Sequence, residues 1–357
     1  MMMKPRKPLA LSAATLAALA LPLAAAAQER QMRAPEVDAR APEGTVRTPE
    51  GALLDTSGDL AYELSELSEE QLTSPARALF RQDSMNVFRR FPREQTEAMV
   101  KFYTEALALR SLSPIQLTSS QQMLLTGVGS GQIKLSAGQQ GDRKYDLSGG
   151  VTGGTGIRYL ALTYPDADTV RERFTAAGFP APTFADRGDG TRAALVEDPA
   201  GFPILVVIDP QAKDHSDDGV GVGIGVSDLT ESRAFYREFV GLDELEPVQD
   251  ATLGVTRYPY RHAETMIHLH EVPAGSPADT GSAGIQYVVS DAALVDAKGR
   301  HRQIAVETPL NKLRGFDLTT VWLNDPDGVT NYFAQVGPDS RTAQQQQQAP
   351  AEAPGGG

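Results

Sequence analysis

The stretch VSDLTESRAFYREFVGL, residues 226–242, decides how this chain is built. It follows a run of alternating glycine and aliphatic residues, GVGVGIG at 219–225, which reads as a strand whose glycines let neighbouring backbone approach closely. Asp228 or Ser227 then offers a side-chain oxygen as N-cap of a helix. Ala234, Phe235, Phe239 and Val240 fall on one face of that helix and pack it on a sheet. TLGVTRYPY (252–260) and ETMIHLHEV (264–272) supply further strands. The local order is strand, helix, about three strands.

That order recurs. EQTEAMVKFYTEALAL (94–109) matches 228–242, with Phe102-Tyr103 answering Phe235-Tyr236. GIRYLAL (156–162) answers GIQYVVS (284–290), and EDPAGFPILVV (197–207) answers NDPDGVTNYFAQV (324–336). The three pairs keep their order at a spacing of about 130 residues, the signature of one duplication. Each half divides again, because the strand–helix start is repeated at AGIQYVVSDAALVDAKGRHRQ (283–303). LTTVWLNDPDGVTNYFAQV (318–336) is a hairpin whose Asp-Pro-Asp-Gly turn places proline and glycine where a turn accepts them. The fold class is therefore α+β, with four βαβββ units. Pairing each unit with its sequence neighbour predicts two domains, 83–210 and 219–337, joined by a linker at 211–218.

The ends are of another kind. Lys4, Arg6 and Lys7 precede an apolar run from Leu9 to Leu23, and Ala25 and Ala27 stand at −3 and −1 of a cleavage site. This is the order of a secretory signal peptide, residues 1–27, and predicts export to a bacterial periplasm. No cysteine follows to carry a lipid. Residues 28–82 read as a disordered Pro/Glu/Arg/Thr linker to about Asp55, then a short helical segment over 60–81. Residues 338–357, rich in Gln, Pro and Gly, read as a tail without fold. Cysteine is absent, which removes disulfides, thiolate nucleophiles and thiolate metal ligands. The formal charge of −13 becomes about −16 once the signal is removed, so nucleic acid and anionic membranes are poor partners. A small molecule is the expected partner, and the oligomeric state is undetermined by sequence.

VSDLTESRAFYREFVGL with NDPDGVTNYFAQV, and EDPAGFPILVV as a weaker copy, resembles the vicinal oxygen chelate superfamily, which includes glyoxalase, bleomycin-resistance proteins and extradiol dioxygenases. The resemblance covers roughly 85–337 and implies βαβββ modules paired into cupped sheets. It also implies a divalent metal, where present, held by His on the first strand and Glu on the last strand of each module. The matching positions in the second half are Gly221, Gly284, Tyr332 and His268. In the first half they are about Phe88, Lys134, Tyr159 and Leu205. His268 is the only surviving donor, and hard or borderline cations need several donors converging from different strands. A divalent metal is disfavoured and no other cofactor is indicated.

His268 and His270 share one face of a strand because the side-chain period is two. A cupin-type H-x-H site would add a glutamate about four residues on, where Ala274 stands. The two imidazoles are pocket candidates, with His268 or His270 as an acid/base or ligand in an alternative, enzymatic reading of lyase, isomerase or dioxygenase type. Tyr332 replaces a ligand position, and Tyr258, Tyr260 and His262 read as a loop beside the pocket. Trp322 reads as core or pocket wall. GVGSGQ (127–132) and GVGVGIG lack the phosphate-binding strand-to-helix spacing, and no G-x-S-x-G nucleophile elbow occurs. The expected function is an exported protein that binds a small organic molecule in the pocket of the 219–337 domain without the family's metal.

Overall fold

Four copies of one unit, each a strand, a helix and three strands, account for the protein from Asn86 to Val336 in this computed structural model. It describes residues 45–47, 53–55, 60–116, 122–139, 143–212, 219–313 and 317–337. The expected signal peptide 1–27, the linker up to 44, positions 213–218 and the tail 338–357 lie outside the described residues.

Module 1 comprises β1 (Asn86–Phe91), α1 (Thr96–Lys101, continued as a π-helical turn Phe102–Ala106), β2 (Arg110–Gln116), β3 (Gln122–Val128) and β4 (Gly131–Ala137). Module 2 comprises β5 (Thr155–Tyr164), α2 (Ala167–Ala176), β6 (Ala185–Asp186), β7 (Arg192–Glu197) and β8 (Pro203–Ile208). Module 3 has β9 (Gly221–Val226), α3 (Leu229–Arg233, continued as π-helix Ala234–Val240), β10 (Asp243–Glu244), β11 (Val255–His262) and β12 (Thr265–Glu271). Module 4 has β13 (Ala283–Val289), α4 (Ala292–His301), β14 (Val306–Leu313), β15 (Leu318–Asn324) and β16 (Thr330–Val336).

The modules do not pair with their sequence neighbours. The first sheet runs β14–β15–β16–β13–β1–β4–β3–β2 and joins module 4 to module 1. The second runs β10–β11–β12–β9–β5–β8–β7–β6 and joins module 3 to module 2. The division into 83–210 and 219–337 is thus corrected: each sheet takes one module from each half. The physical reason lies in the edges. Every module leaves the outer edge of its first strand unpaired, and any other first strand satisfies it equally. Here β1 meets β13 and β5 meets β9, both antiparallel.

Strand alternation gives each sheet two faces. On β9, Val222, Ile224 and Val226 are fully buried against the helices, while Gly221, Gly223 and Gly225 face the other way. One apolar core occupies the helix-bearing sides of both sheets, with Phe102, Phe174, Tyr236, Phe239, Tyr287 and Phe333 among its members. Two small apolar clusters lie on the opposite, hollow faces. One is formed around Phe88 and Tyr332, the other around Tyr159 and Leu205.

The repeated motifs are joined to each other across modules. Tyr103 of module 1 donates to Asp198 of module 2 at 3.2 Å, and Tyr236 of module 3 donates to Asp325 of module 4 at 2.9 Å. The aspartates start the DP-x-G turns, where Gly201 and Gly328 take left-handed φ values of +76° and +84°. Asp198 also accepts from the Ala200 and Phe202 amides, and Asp325 from those of Asp327 and Val329. Asp228 is the N-cap of α3, accepting from Glu231 N at 3.0 Å. Ala234 is exposed; Tyr236 takes its place on the buried face.

The linker expectation needs one further correction. Thr45–Arg47 and Leu53–Asp55 pair with each other, and the second pairs with β14, so this part of 28–55 extends the first sheet. Residues 60–80 form short helical turns with Glu69–Thr73 at their centre, held by Lys298 Nζ bonded to the carbonyls of Gln71 and Ser74.

Candidate functional site

The hollow of the second sheet contains His268. A cavity of about 200 Å³ opens there, lined by Leu205, Gly221, Arg257, Met266 and His268, with Arg187 and Glu264 at its edge. Met266 and His268 alternate along β12 with Ile267 and Leu269, which are fully buried in the core. The glycines of β9 leave the room. A Cβ on Gly221 would lie 3.8 Å from the His268 ring, and one on Gly223 only 1.9 Å from the ring of Tyr159. GVGIGV is therefore a strand that admits large side chains from its neighbours, as its composition predicts.

Charge in this hollow is organised by Asp250. Arg187 and Arg257 each place a nitrogen 2.9 Å from its Oδ2, and the Thr252 and Leu253 amides donate to Oδ1. For Arg257 Nε the distance is that of an ion pair, while its angle falls short of a hydrogen bond. Arg257 Nη1 also lies 3.4 Å from both ring nitrogens of His268. Burial, and then the two guanidinium groups, hold the His268 imidazole well below its ordinary pKa. The ring is neutral at pH 7. The hydroxyl of Tyr159, fully buried beneath this hollow, has no geometrically formed hydrogen bond among the described residues, and burial pushes it up to about 12.

His270 has a different role. It points to the same face but is fully buried, its Nε2 donating to Val151 O at 2.8 Å while Nδ1 has no partner among the described residues. Burial pushes it down to about 4. It ties the 143–154 segment to β12 and does not line the cavity.

Three pocket candidates lie elsewhere. Tyr258, Tyr260 and His262 sit on β11, not in a loop, and the period of two turns them from the hollow that Arg257 and Arg261 face. Tyr260 is buried in the core with its hydroxyl on Glu244 at 3.1 Å, and Tyr258 packs beside it. His262 lies against Phe80 with ring centroids 5.7 Å apart. Pro259 was the misleading signal. It is tolerated within a strand because the outer side of β11 is paired only in two short pieces, Asp243–Glu244 against Tyr260 and Arg261 and Val248–Asp250 against Val255–Arg257, and Pro259 falls between them. Reading TRYPYRH as a strand would have assigned both arginines to the hollow.

Tyr332 belongs to the other sheet. It lies in the first hollow, 5.5 Å from the ring of Phe88 and 5.0 Å from Trp322. Lys134, paired in register with Phe88, is 5% exposed. Its Nζ donates to Gln286 Oε1 at 2.6 Å, and Asn86 donates to the same oxygen at 3.0 Å. Arg143 lies over Trp322 and pairs with Glu307 at 2.7 Å.

The eight positions aligned from sequence thus divide into Phe88, Lys134, Gly284 and Tyr332 in the first sheet, and Tyr159, Leu205, Gly221 and His268 in the second. Among the described residues no group of three His, Asp or Glu side chains is placed to hold a metal ion.

Comparison with known proteins agrees with this architecture. The sequence pattern described as Glyoxalase/Bleomycin resistance protein/Dioxygenase superfamily matches residues 220–333. Glyoxalase I from Zea mays superposes with a TM-score of 0.54 at 17% identity, over 71% of this chain and 92% of its own. A putative dioxygenase from Bacillus subtilis superposes with a TM-score of 0.54 at 15% identity, over 75% of this chain and 91% of its own. At these identities the likeness concerns the fold. No curated protein matches the chain by sequence.

Proposed function

Residues 220–333 belong to the glyoxalase/bleomycin resistance protein/dioxygenase superfamily and the chain has its fold; from that premise we propose a metal-free binder of a small organic molecule. The site is the hollow of the second sheet, walled by modules 2 and 3 and not by the C-terminal half alone. One observation carries the reading. Of the four positions that converge there, only His268 offers a donor, and two guanidinium groups stand beside it. A divalent cation needs several converging oxygen or imidazole donors and is repelled by adjacent positive charge. The residues present do not fit a metal. They do fit the general plan of a small-molecule site: an apolar wall of Leu205, Val207 and Met266 with a few convergent polar groups.

Equilibrium dialysis with elemental analysis of the purified protein is expected to find no stoichiometric metal. Metal present at one per chain and removed by chelator overturns the reading. A thermal-shift survey of small organic compounds is expected to yield stabilisers of the wild type that His268→Ala and Arg257→Ala no longer respond to.

Export belongs to the same proposal and rests on the order basic, apolar, small over residues 4–27. N-terminal sequencing of the mature protein is expected to begin at Gln28. An intact chain recovered from the cytoplasm rejects it.

A catalytic reading has one observation in its favour: His268 is a neutral imidazole facing a cavity, a form able to accept a proton. His270 is spent on Val151. If a turnover is found and His268→Ala leaves it unchanged, acid/base catalysis in this hollow is excluded.

A further inference from the structure

We propose that the hollow of the first sheet is a second, separate binding site, one that takes a flat organic carboxylate. The inference starts from Lys134. Its ammonium is all but buried, yet no carboxylate among the described residues pairs with it. Glu307, a carboxylate of module 4 in the same sheet, is committed to Arg143 at 2.7 Å and to the Thr330 hydroxyl at 2.6 Å. Of the three ammonium donors, one reaches Gln286 Oε1 and two meet no acceptor among the described residues. A buried cation without a counter-charge is costly, and an anion arriving in the hollow removes that cost. Burial lowers the lysine to about 8, so it is still charged at pH 7.

The shape of the ligand follows from the walls. Phe88, Tyr332 and Trp322 form a chain of rings with successive centroids 5.5 and 5.0 Å apart. Ile115, Met123 and Leu125 complete an apolar surface. Aromatic faces accept a planar guest by offset or edge contact. Water reaches this hollow. Phe88, Tyr332, Ile115 and Met123 are 6–9% exposed, whereas Val87, Ile133, Ile285 and Phe333, on the helix-facing side of neighbouring strands, are at 0%. Gly284 forms part of the floor, where a Cβ would meet Thr330 and the Phe88 ring in van der Waals contact at 3.4–3.5 Å.

Trp322 is the only tryptophan in the chain and stands in this hollow, so its fluorescence reports on this site alone. The experiment titrates the full-length protein with benzoate at pH 7, and with benzyl alcohol as the neutral counterpart. Benzoate is expected to give a saturable change, with Kd at least tenfold tighter than benzyl alcohol. Lys134→Met is expected to weaken benzoate at least tenfold and leave benzyl alcohol unaffected. His268→Ala is expected to change neither, which separates this proposal from the one for the second hollow. The pH profile needs no substitution: benzoate affinity should be flat between about pH 6 and 7, where the probe is ionised and the lysine charged, and fall about tenfold per unit well above pH 8, as the lysine loses its proton. No saturable response, equal binding of the neutral compound, undiminished binding by Lys134→Met, or a flat profile to pH 10 each overturns the proposal.

Discussion

In the first sheet Phe88, Lys134, Gly284 and Tyr332 stand at the positions that in the second are Tyr159, Leu205, Gly221 and His268. The strand plan beneath them is the same: two first strands antiparallel at the centre, each flanked by its own module's last strand in parallel. What differs is how each hollow handles positive charge. The second gathers two guanidinium groups onto the shared carboxylate of Asp250. The first buries one ammonium against an amide oxygen and sets it 5.8 Å from the centre of the Phe88 ring. One backbone plan thus supports a site whose cations share a carboxylate and one whose cation has none. Strand register sets where side chains converge, and side-chain identity alone sets what converges.

The contrast can be broken most severely at Asp250. Asp250→Asn leaves Arg187 and Arg257 buried without their anion, and urea denaturation is expected to show a loss of about 3–5 kcal/mol. A loss under about 1 kcal/mol would mean the second hollow is no better compensated than the first.

The paired turns sharpen the same lesson. Asp198 has the Arg89 guanidinium at 2.7 Å, whereas among the described residues no ion pair reaches Asp325, and Val222 takes the place of Arg89 in module 3. Burial pushes the Asp325 carboxyl up to about 7, above its unfolded value of about 3.9. The native state then holds this proton more tightly than the unfolded chain. Its contribution to stability is complete below about pH 4 and is lost as pH rises through 7, with a slope of up to about 1.4 kcal/mol per unit. Asp325→Asn should flatten that part of the stability–pH curve, measured by denaturant midpoints from pH 4 to 8.

Glycine substitutions test the two hollows for space. Gly223→Ala drives a methyl into the Tyr159 ring and is expected to cost about 1–3 kcal/mol, while Gly284→Ala should cost less than about 1. The smallest effect is expected at Lys134. Lys134→Met removes an unpaired buried charge, so stability should be unchanged or raised by about 1 kcal/mol. A loss above 2 kcal/mol would show that Gln286 and its surroundings compensate the ammonium after all.

Much of this was legible in the chain. The FY and DP-x-G motifs marked the repeats because they do structural work, tyrosine bonding aspartate between modules 1 and 2 and again between 3 and 4. GVGVGIG was recognisable as a closely approached strand, and His268 as a residue of a hollow. Arg187, Arg257 and Asp250 were not legible as a site. They come from separate strands and loops of two modules, and an ion pair between residues as far apart as 187 and 250 leaves no periodic trace. Tyr260 and His262 were misplaced because a proline inside a strand resembles a loop when the length of the neighbouring strand is unknown.

Sequence alone determined the unit, its fourfold repetition, the faces of most strands and the scarcity of metal donors, because all of these are local and periodic properties of a chain. Tertiary structure alone decided that module 1 joins module 4 and module 2 joins module 3. Strand edges present the same N–H and C=O groups to any partner, so which edges meet is settled by how helices and linkers pack, and with it which four residues share each hollow.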